Sequence, residues 1–424
     1  MAPLTTAALL RLQRSAGNRA VTQMVSRYES PEHMDLGDRY GKELGAFIGT
    51  DEGRAWVKKF GLEQDVKGLD GDWYAQGKRQ IGTASRTLTP GQIIAMSGDF
   101  YETWEQFAAA PDEEVNEIIG AIGEERAGKL GNANAKYEEI TKKHRSDKHN
   151  HYLELAKRNT PHFTPGNRKQ WRKMHVEALE LAKQGKTVYG SDPGEAHDKD
   201  FEKALFIDAA AGHFLTDAFA SGHMFDKDKL EIEIMSYLRD NPARPSNPEM
   251  GGYYGIMEGA GVTPQLVLKN VHDRMNREGF DVTNKRGMSW RTFGDNFLSK
   301  ADETQKIAAL AIYVSRQQVF AARAGKNPDP EDVLAFFPDE PSIERATKLA
   351  CSYIPAAAAD IGGLIYRQRS MAPTQFGPIL GGIIQSNIET IGSPGRERQL
   401  LDIKERAERT GQPQVAPQFT VKSW

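Results

Sequence analysis

The stretch ALFIDAAAGHFLTDAFASGHM, residues 204–224, holds two histidines and two aspartates within a run of small and apolar residues. Apolar or small residues cover nearly all sides of a helix drawn through it, which predicts a helix buried inside a helical bundle. An imidazole or a carboxylate is costly to bury unless it is hydrogen-bonded, paired with a charge or bound to a metal. The stretch therefore predicts either a polar network in the core or a metal site.

The spacing of three of these polar residues bears on that choice. His213 and Asp217 are four residues apart, so their side chains share one helix face and can bind one ion. His223 follows six residues later, about a third of a turn from that face at ~3.6 residues per turn, and Gly222 can end the helix before it. This arrangement suits two neighbouring ions better than one. The alternative is that all three are core residues satisfied by hydrogen bonds.

Most of the remaining sequence is also predicted to be helical. Its segments space apolar residues by three and four, and strands with period-two alternation are almost absent. We expect an all-α fold, a multi-helix bundle with a helical C-terminal extension. The predicted parts are an N-terminal tail or short helix at 1–27, the helical domain at 28–325, and the extension and tail at 326–424.

Composition narrows the function classes. Lys and Arg number 55 against 58 Asp and Glu, a formal charge of -3, so no general basic field attracts nucleic acid, and no stable nucleic-acid partner is expected. The single cysteine, Cys351, excludes an internal disulfide and a thiolate zinc site, which leaves histidine and carboxylates as ligands. The late apolar stretches 353–366 and 376–391 fall short of the ~18 to 20 residues of a membrane span, so we expect no transmembrane segment.

Other candidate ligands stand outside the central stretch. His162, in NTPHFTP, is placed in a turn between two helices, and His272 precedes Asp273 on another apolar helix. His33 lies in SPEHMDLGD, and Asp99 ends the apolar run IIAMSGD, where a carboxylate is otherwise unexpected. Each of them, taken alone, is also explained by ordinary packing or exposure.

The H-x-x-x-D-x-x-x-x-x-H spacing of residues 213–223, together with the HF-x-P that begins at His162, resembles the zinc-dependent phospholipase C superfamily, which also contains the fungal single-strand-specific nucleases. The resemblance covers roughly residues 28–320. It implies an all-helical bundle in which a cluster of zinc ions, three in the family and two or three here, activates a water against a phosphodiester.

The resemblance also implies roles for individual residues. The first zinc would be held by His162, His213 and Asp217, assisted by Asp99. The second would be held by His223 and His272. Asp99 would in addition act in catalysis, by orienting the attacking water or accepting its proton.

Two departures from the family pattern stand out. The family places a carboxylate four residues after the last histidine, but Asn276 stands there, so Asp273 or a water would have to substitute. The family's third zinc uses an N-terminal tryptophan, which the start of this sequence lacks, and His33 would supply only part of that site. Two ions are chemically sufficient, because paired ions both activate water and stabilise the attacking and leaving oxygens.

The N-terminal segment LLRLQRSAGNRAV, residues 9–21, resembles a segment that recurs in bacterial proteins linked to contractile injection systems. That resemblance implies export as cargo of such a particle. Residues 1–20 lack the apolar core of a signal peptide, so we expect synthesis in the bacterial cytoplasm without classical secretion. A plain amphipathic helix is the alternative.

Taken together, the sequence predicts a zinc-dependent phosphodiester hydrolase with a phospholipid substrate, delivered as an injection-particle effector. A single-strand nuclease of the same superfamily is the nearest alternative. The other alternative is a catalytically degenerate structural or adaptor component of a secretion particle, which Asn276 and the missing N-terminal tryptophan favour.

Overall fold

The structure, a computed structural model, describes residues 30–69, 88–130, 133–184, 199–240 and 262–369. Helices make up most of this part of the chain, which confirms the all-α class. The N-terminal segment 1–27 and the last part of the C-terminal extension, from residue 370, lie outside the described residues. The expectations for those two segments therefore stay predictions.

The α-helices are numbered by their order along the described chain. They are α1 (Ser30–Gly37), α2 (Arg39–Ile48), α3 (Asp51–Phe60), α4 (Pro90–Met96), α5 (Trp104–Ala108), α6 (Asp112–Arg126), α7 (Ala133–His144), α8 (Tyr152–Lys157), α9 (Gly166–Gln184), α10 (Lys199–Asp217), α11 (Lys227–Asp240), α12 (Val262–Glu278), α13 (Asp302–Arg323), α14 (Glu331–Leu334) and α15 (Glu340–Arg369). Short 3-10 turns lie at Lys148–Asn150, Thr160–His162, Ser221–His223 and Leu298–Lys300.

Helix α10 is the predicted central helix, and it packs against α1, α4, α9 and α13. Every residue from 204 to 225 is buried, as the sequence predicts. The helix ends at Asp217, where the amides of Phe219 and Ala220 bond to carbonyls three residues back and tighten the chain into a turn. His223 therefore lies on a separate 3-10 turn. The predicted offset of about a third of a turn between His223 and the face of His213 and Asp217 assumed one continuous helix, so it does not apply.

Hydrogen bonds fix the N-terminus of helix α4. Thr89 and Gln92 form a capping box, each side chain accepting a hydrogen bond from the other's backbone amide, and Pro90 occupies the first turn. Asp38, between α1 and α2, accepts a hydrogen bond from the Thr89 hydroxyl at 2.6 Å. This anchorage sets the position of the loop at residues 97–99, which follows α4 and reaches the central helix.

A two-stranded hairpin follows α12, in a region whose residue pattern shows little sign of strands. Strands β1 (Phe280–Thr283) and β2 (Ser289–Thr292) pair antiparallel, with Val282 opposite Trp290. Each strand has four residues, too few for period-two alternation to stand out from its surroundings. The Thr292 hydroxyl donates to the carbonyl of Phe219 at 2.6 Å, so the hairpin is attached to the turn after α10.

The described residues fall into two compact units. The first comprises residues 227–240, 262–272 and 348–369, and the second comprises the remainder. The boundaries at residues 27 and 325 that the sequence suggests stay a prediction. Among the described helices, none combines the length and the apolar character that crossing a bilayer requires.

Candidate metal centre

The central helix presents two candidate ligands on one face, as their spacing predicts. Nε2 of His213 lies 3.5 Å from Oδ2 of Asp217, and both side chains are fully buried. Helix α10 is apolar around them, since Ala211, Phe214 and Leu215 are also buried. The helix therefore holds an imidazole and a carboxylate side by side in an apolar interior.

His162 reaches the same point from the 3-10 turn Thr160–His162. Its Nδ1 lies 2.8 Å from Oδ2 of Asp217 and 3.1 Å from Nε2 of His213. The turn is held in place because the side-chain amide of Asn167 donates to the His162 carbonyl at 3.0 Å, and the Thr164 amide donates to the His223 carbonyl at 2.9 Å. The structure thus brings together the three residues expected at the first ion.

Asp99 approaches from the loop after α4. Its Oδ1 lies 3.8 Å from Nε2 of His213, and the side chain is 1% exposed. Gly98, just before it, has φ +75°, and a Cβ there would lie 2.4 Å from Cδ2 of His213 and 2.9 Å from Cε1 of His162. Only glycine allows the loop to come this close, since it tolerates positive φ and has no side chain.

The backbone fixes which nitrogen of His213 faces the other ligands. Nδ1 lies 3.0 Å from the carbonyl oxygen of Ile94. A carbonyl only accepts, so Nδ1 carries the proton and, in the neutral ring, Nε2 carries the lone pair. A backbone carbonyl that orients one ring nitrogen while the other points at neighbouring ligands is the usual arrangement of a metal-binding histidine.

His33, on α1, joins the same cluster from the opposite side of Asp217. The Thr216 hydroxyl donates to the carbonyl of His213 at 2.7 Å, so it accepts from Nδ1 of His33, also at 2.7 Å. Nε2 of a neutral His33 then holds the lone pair, and it lies 3.7 Å from Oδ1 of Asp217. That separation exceeds a hydrogen bond but suits two ligands of one ion.

The donor set fits zinc. Bonds of ~2.0 to 2.1 Å in tetrahedral geometry place neighbouring ligand atoms about 3.3 Å apart. Four of the pairs among His162, His213, Asp217 and Asp99 have separations of 2.8 to 3.8 Å, around that value. The ligand atoms are nitrogen and oxygen from buried side chains, and the two carboxylates bring negative charge that a divalent cation offsets. Buried His/Asp groups in the described chain can therefore hold a metal ion.

His223 lies beside the other oxygen of Asp217. Its Nδ1 is 2.9 Å from Oδ1 of Asp217, and its side chain is fully buried. A ring nitrogen of His223 and a carboxylate oxygen of Asp295 lie within 4.8 Å of each other. Asp295 is 3% exposed and follows β2; the sequence reasoning missed it. The signal that could have found it is the Gly-Asp pair at 294–295, which repeats the pair at 98–99.

The remaining predicted ligands lie on α12. His272 is buried, one helical turn before Asn276. Asp273 is half-buried, and it is not one of the residues whose ligand atoms converge in the described chain. Roles for His272 and Asp273 as ligands stay predictions.

No protein-family model, curated protein or solved structure matches this chain.

Proposed function

We propose that the protein is a zinc-dependent phosphodiester hydrolase of the phospholipase C type, acting on phospholipid head groups. The observation that carries the proposal is the convergence of His162, His213 and Asp217, with Asp99 beside them, from three separate elements of the fold. Such a donor set is unusual for a purely structural network, because two buried carboxylates would have to be balanced by protonated imidazoles.

In this proposal His162, His213 and Asp217 hold the first zinc, and His223 belongs to a second. Zinc at this site supplies a water of lowered pKa and a Lewis acid for the phosphoryl oxygens. Asp99, whose Oδ1 lies 3.8 Å from Nε2 of His213, would orient the attacking water and take its proton. The surrounding apolar residues of α10 exclude bulk water and strengthen each of these electrostatic contacts.

Zinc content gives the first test. Purified full-length protein, dialysed free of loose metal, is expected to retain two, or about three, zinc ions per chain by plasma mass spectrometry. His162→Asn should lose at least one of them, whereas the matched control His149→Asn, an exposed histidine on the turn Lys148–Asn150, should keep all of them. Less than one zinc per wild-type chain would favour the adaptor alternative, which Asn276 supports.

Substrate assays then separate the two enzyme classes. Release of the phosphorylated head group from phosphatidylcholine vesicles is expected, with loss of at least ~100-fold in the His162→Asn variant, since zinc ligands are required for chemistry. Cleavage of single-stranded DNA without release of head group would instead establish the nuclease.

Delivery as injection-particle cargo is proposed because of the segment at residues 9–21, and co-purification of the protein with the particle tests it.

A further inference from the structure

Asn276, where the resemblance would place a carboxylate ligand, is held in one orientation by its neighbours. The side chain is 2% exposed. Its Oδ1 accepts a hydrogen bond from the backbone amide of Gly222, at 2.5 Å, so its Nδ2 is the atom that faces Oδ2 of Asp295, to which it donates at 2.9 Å. An amide whose oxygen is fixed by a backbone N–H cannot flip without losing both bonds.

Two glycines, Gly222 and Gly294, lie directly against the side-chain amide of Asn276. A Cβ at Gly222 would lie 2.3 Å from Oδ1 of Asn276, and a Cβ at Gly294 would lie 1.7 Å from the same atom. The Gly294 amide also donates to the Asn276 carbonyl at 3.2 Å. Each glycine directly precedes a candidate ligand, so the close approach of two chain segments to Asn276 brings the next two residues, His223 and Asp295, together.

The hydrogen bond between His223 and Asp217 indicates which nitrogen of His223 has a lone pair for a metal ion. Oδ1 of Asp217 accepts from Nδ1 of His223 at 2.9 Å, so Nε2 of the neutral ring carries the lone pair. A ring nitrogen of His223 and a carboxylate oxygen of Asp295 lie within 4.8 Å of each other, both side chains are buried, and such a pair forms the start of a metal site. The Asn276 amide, which donates to this carboxylate, is a partner of the kind that holds a ligating carboxylate in place.

We infer that Asp295 supplies the carboxylate ligand of a second zinc ion, together with His223, and that Asn276 positions it. This inference rests on the proposed zinc-dependent function and deepens it. In this inference the carboxylate ligand comes from the loop after β2 rather than from α12. Asn276 orients that ligand, so its presence in place of a carboxylate does not mean that the second metal site has been lost. A hydrogen-bonded partner of a ligating carboxylate contributes about 10- to 100-fold to metal affinity.

The test uses full-length protein stripped with a chelator and titrated with zinc by calorimetry. Asp295→Asn is expected to bind one zinc fewer than the wild type, while the exposed control Asp281→Asn on β1 binds the wild-type number. Asn276→Ala should weaken the same ion about 10-fold or more. Helical circular dichroism verifies that each variant is folded.

An exchange variant supplies the rescue. Asp295→Asn combined with Asn276→Asp swaps carboxylate and amide across the same hydrogen bond, and it should recover the zinc lost by Asp295→Asn. If Asp295→Asn does not fold, the exchange variant carries the test by its zinc count. Failure of the exchange to recover zinc would overturn the role of Asn276.

The outcomes distinguish this inference from the proposed function. A wild-type chain that binds no zinc overturns both. A wild-type chain with its full zinc content, and an Asp295→Asn variant with the same content and affinity, overturns the role of Asp295 alone.

Discussion

Oδ1 of Asp217 lies 2.9 Å from Nδ1 of His223, although His223 has left the helix that carries Asp217. The second oxygen of the same carboxylate faces His162 at 2.8 Å. One buried carboxylate therefore contacts both sides of the cluster, with Oδ2 facing His162 and Oδ1 facing His223. The whole proposed centre depends on this one residue more than on any other.

Asp217→Asn is accordingly expected to lower zinc content at both ions. The amide loses the negative charge that attracts the first ion, and its NH2 group would face either His162 or His223 as a donor. We expect a loss of at least ~100-fold in phosphodiester hydrolysis. Asp200→Asn, an exposed residue at the start of α10, is the control and should leave zinc content unchanged. Equal zinc in both variants, measured by mass spectrometry, would contradict this role.

The sequence was sufficient to predict those features that depend on local spacing. The apolar surroundings of residues 204–224 predict a buried helix, and the separation of four residues places His213 and Asp217 on one face. The resemblance added His162 and Asp99, which reach the cluster from distant positions in the chain. Local pattern alone does not reveal such long-range convergence.

Asp295 shows why part of the site could not be predicted, and His33, predicted only as part of a third site, shows why its place beside Asp217 could not. Asp295 is brought to His223 by a hairpin of two four-residue strands and by packing of glycines on Asn276, neither of which has a periodic signature. His33 lies beside Asp217 because α1 packs against α10, a tertiary contact. A glycine does precede each of Asp99, His213, His223 and Asp295, which is a local trace of the close packing.

The N-terminus of α15 offers a prediction about pH. Oδ1 of Asp339 accepts from the Ser342 amide at 2.9 Å, and Oδ2 accepts from the Thr283 hydroxyl at 2.7 Å. Burial alone would raise the pKa of Asp339, but the hydrogen bonds from Ser342 and Thr283 outweigh it and hold that pKa below its ordinary value. The folded state therefore favours the ionised carboxylate, and its contribution to stability is present above the unfolded pKa and lost as pH falls through the folded pKa.

Asp339→Ala should thus lower the free energy of unfolding by about 1 kcal/mol at neutral pH, the usual cost of losing a helix N-cap side chain. The difference from wild type should shrink in acid, below about pH 4, where the wild-type carboxyl protonates. Urea denaturation of the wild type and the variant, at neutral pH and below about pH 4, measures this difference in the free energy of unfolding. A difference that stays constant with pH would show that the charge of Asp339 contributes nothing.

His33 tests whether the cluster extends beyond two ions. Its Nε2 lies 3.7 Å from Oδ1 of Asp217, and its ring centroid lies 4.3 Å from that of His213. We expect His33→Gln to remove at most one zinc per chain and to leave the ion at His162 in place, because His162 contacts the other oxygen of Asp217. Zinc counts of His33→Gln and His162→Asn, compared side by side, give the answer. Complete loss of zinc in His33→Gln would mean that the two sites are one.

Gly98 tests the geometry of the cluster without changing a ligand. Gly98→Ala would place a Cβ 2.4 Å from Cδ2 of His213, at a residue with φ +75°, so the loop with Asp99 must move away. Positive φ alone costs a non-glycine residue about 1 kcal/mol. Gly128→Ala is the matched control, because Gly128 also has positive φ, +65°, but a Cβ there meets no atom of the described residues within 4 Å.

Both glycine variants should therefore show a small loss of stability in urea denaturation, while only Gly98→Ala should lose zinc affinity and hydrolysis. The expected loss in zinc affinity is about 10-fold or more, since displacement of Asp99 and His213 alters a ligand and its neighbour together. Calorimetric zinc titration of the two variants measures it. Equal zinc affinity in Gly98→Ala and Gly128→Ala would mean that the cluster tolerates displacement of the loop, which a site built on fixed ligand distances does not.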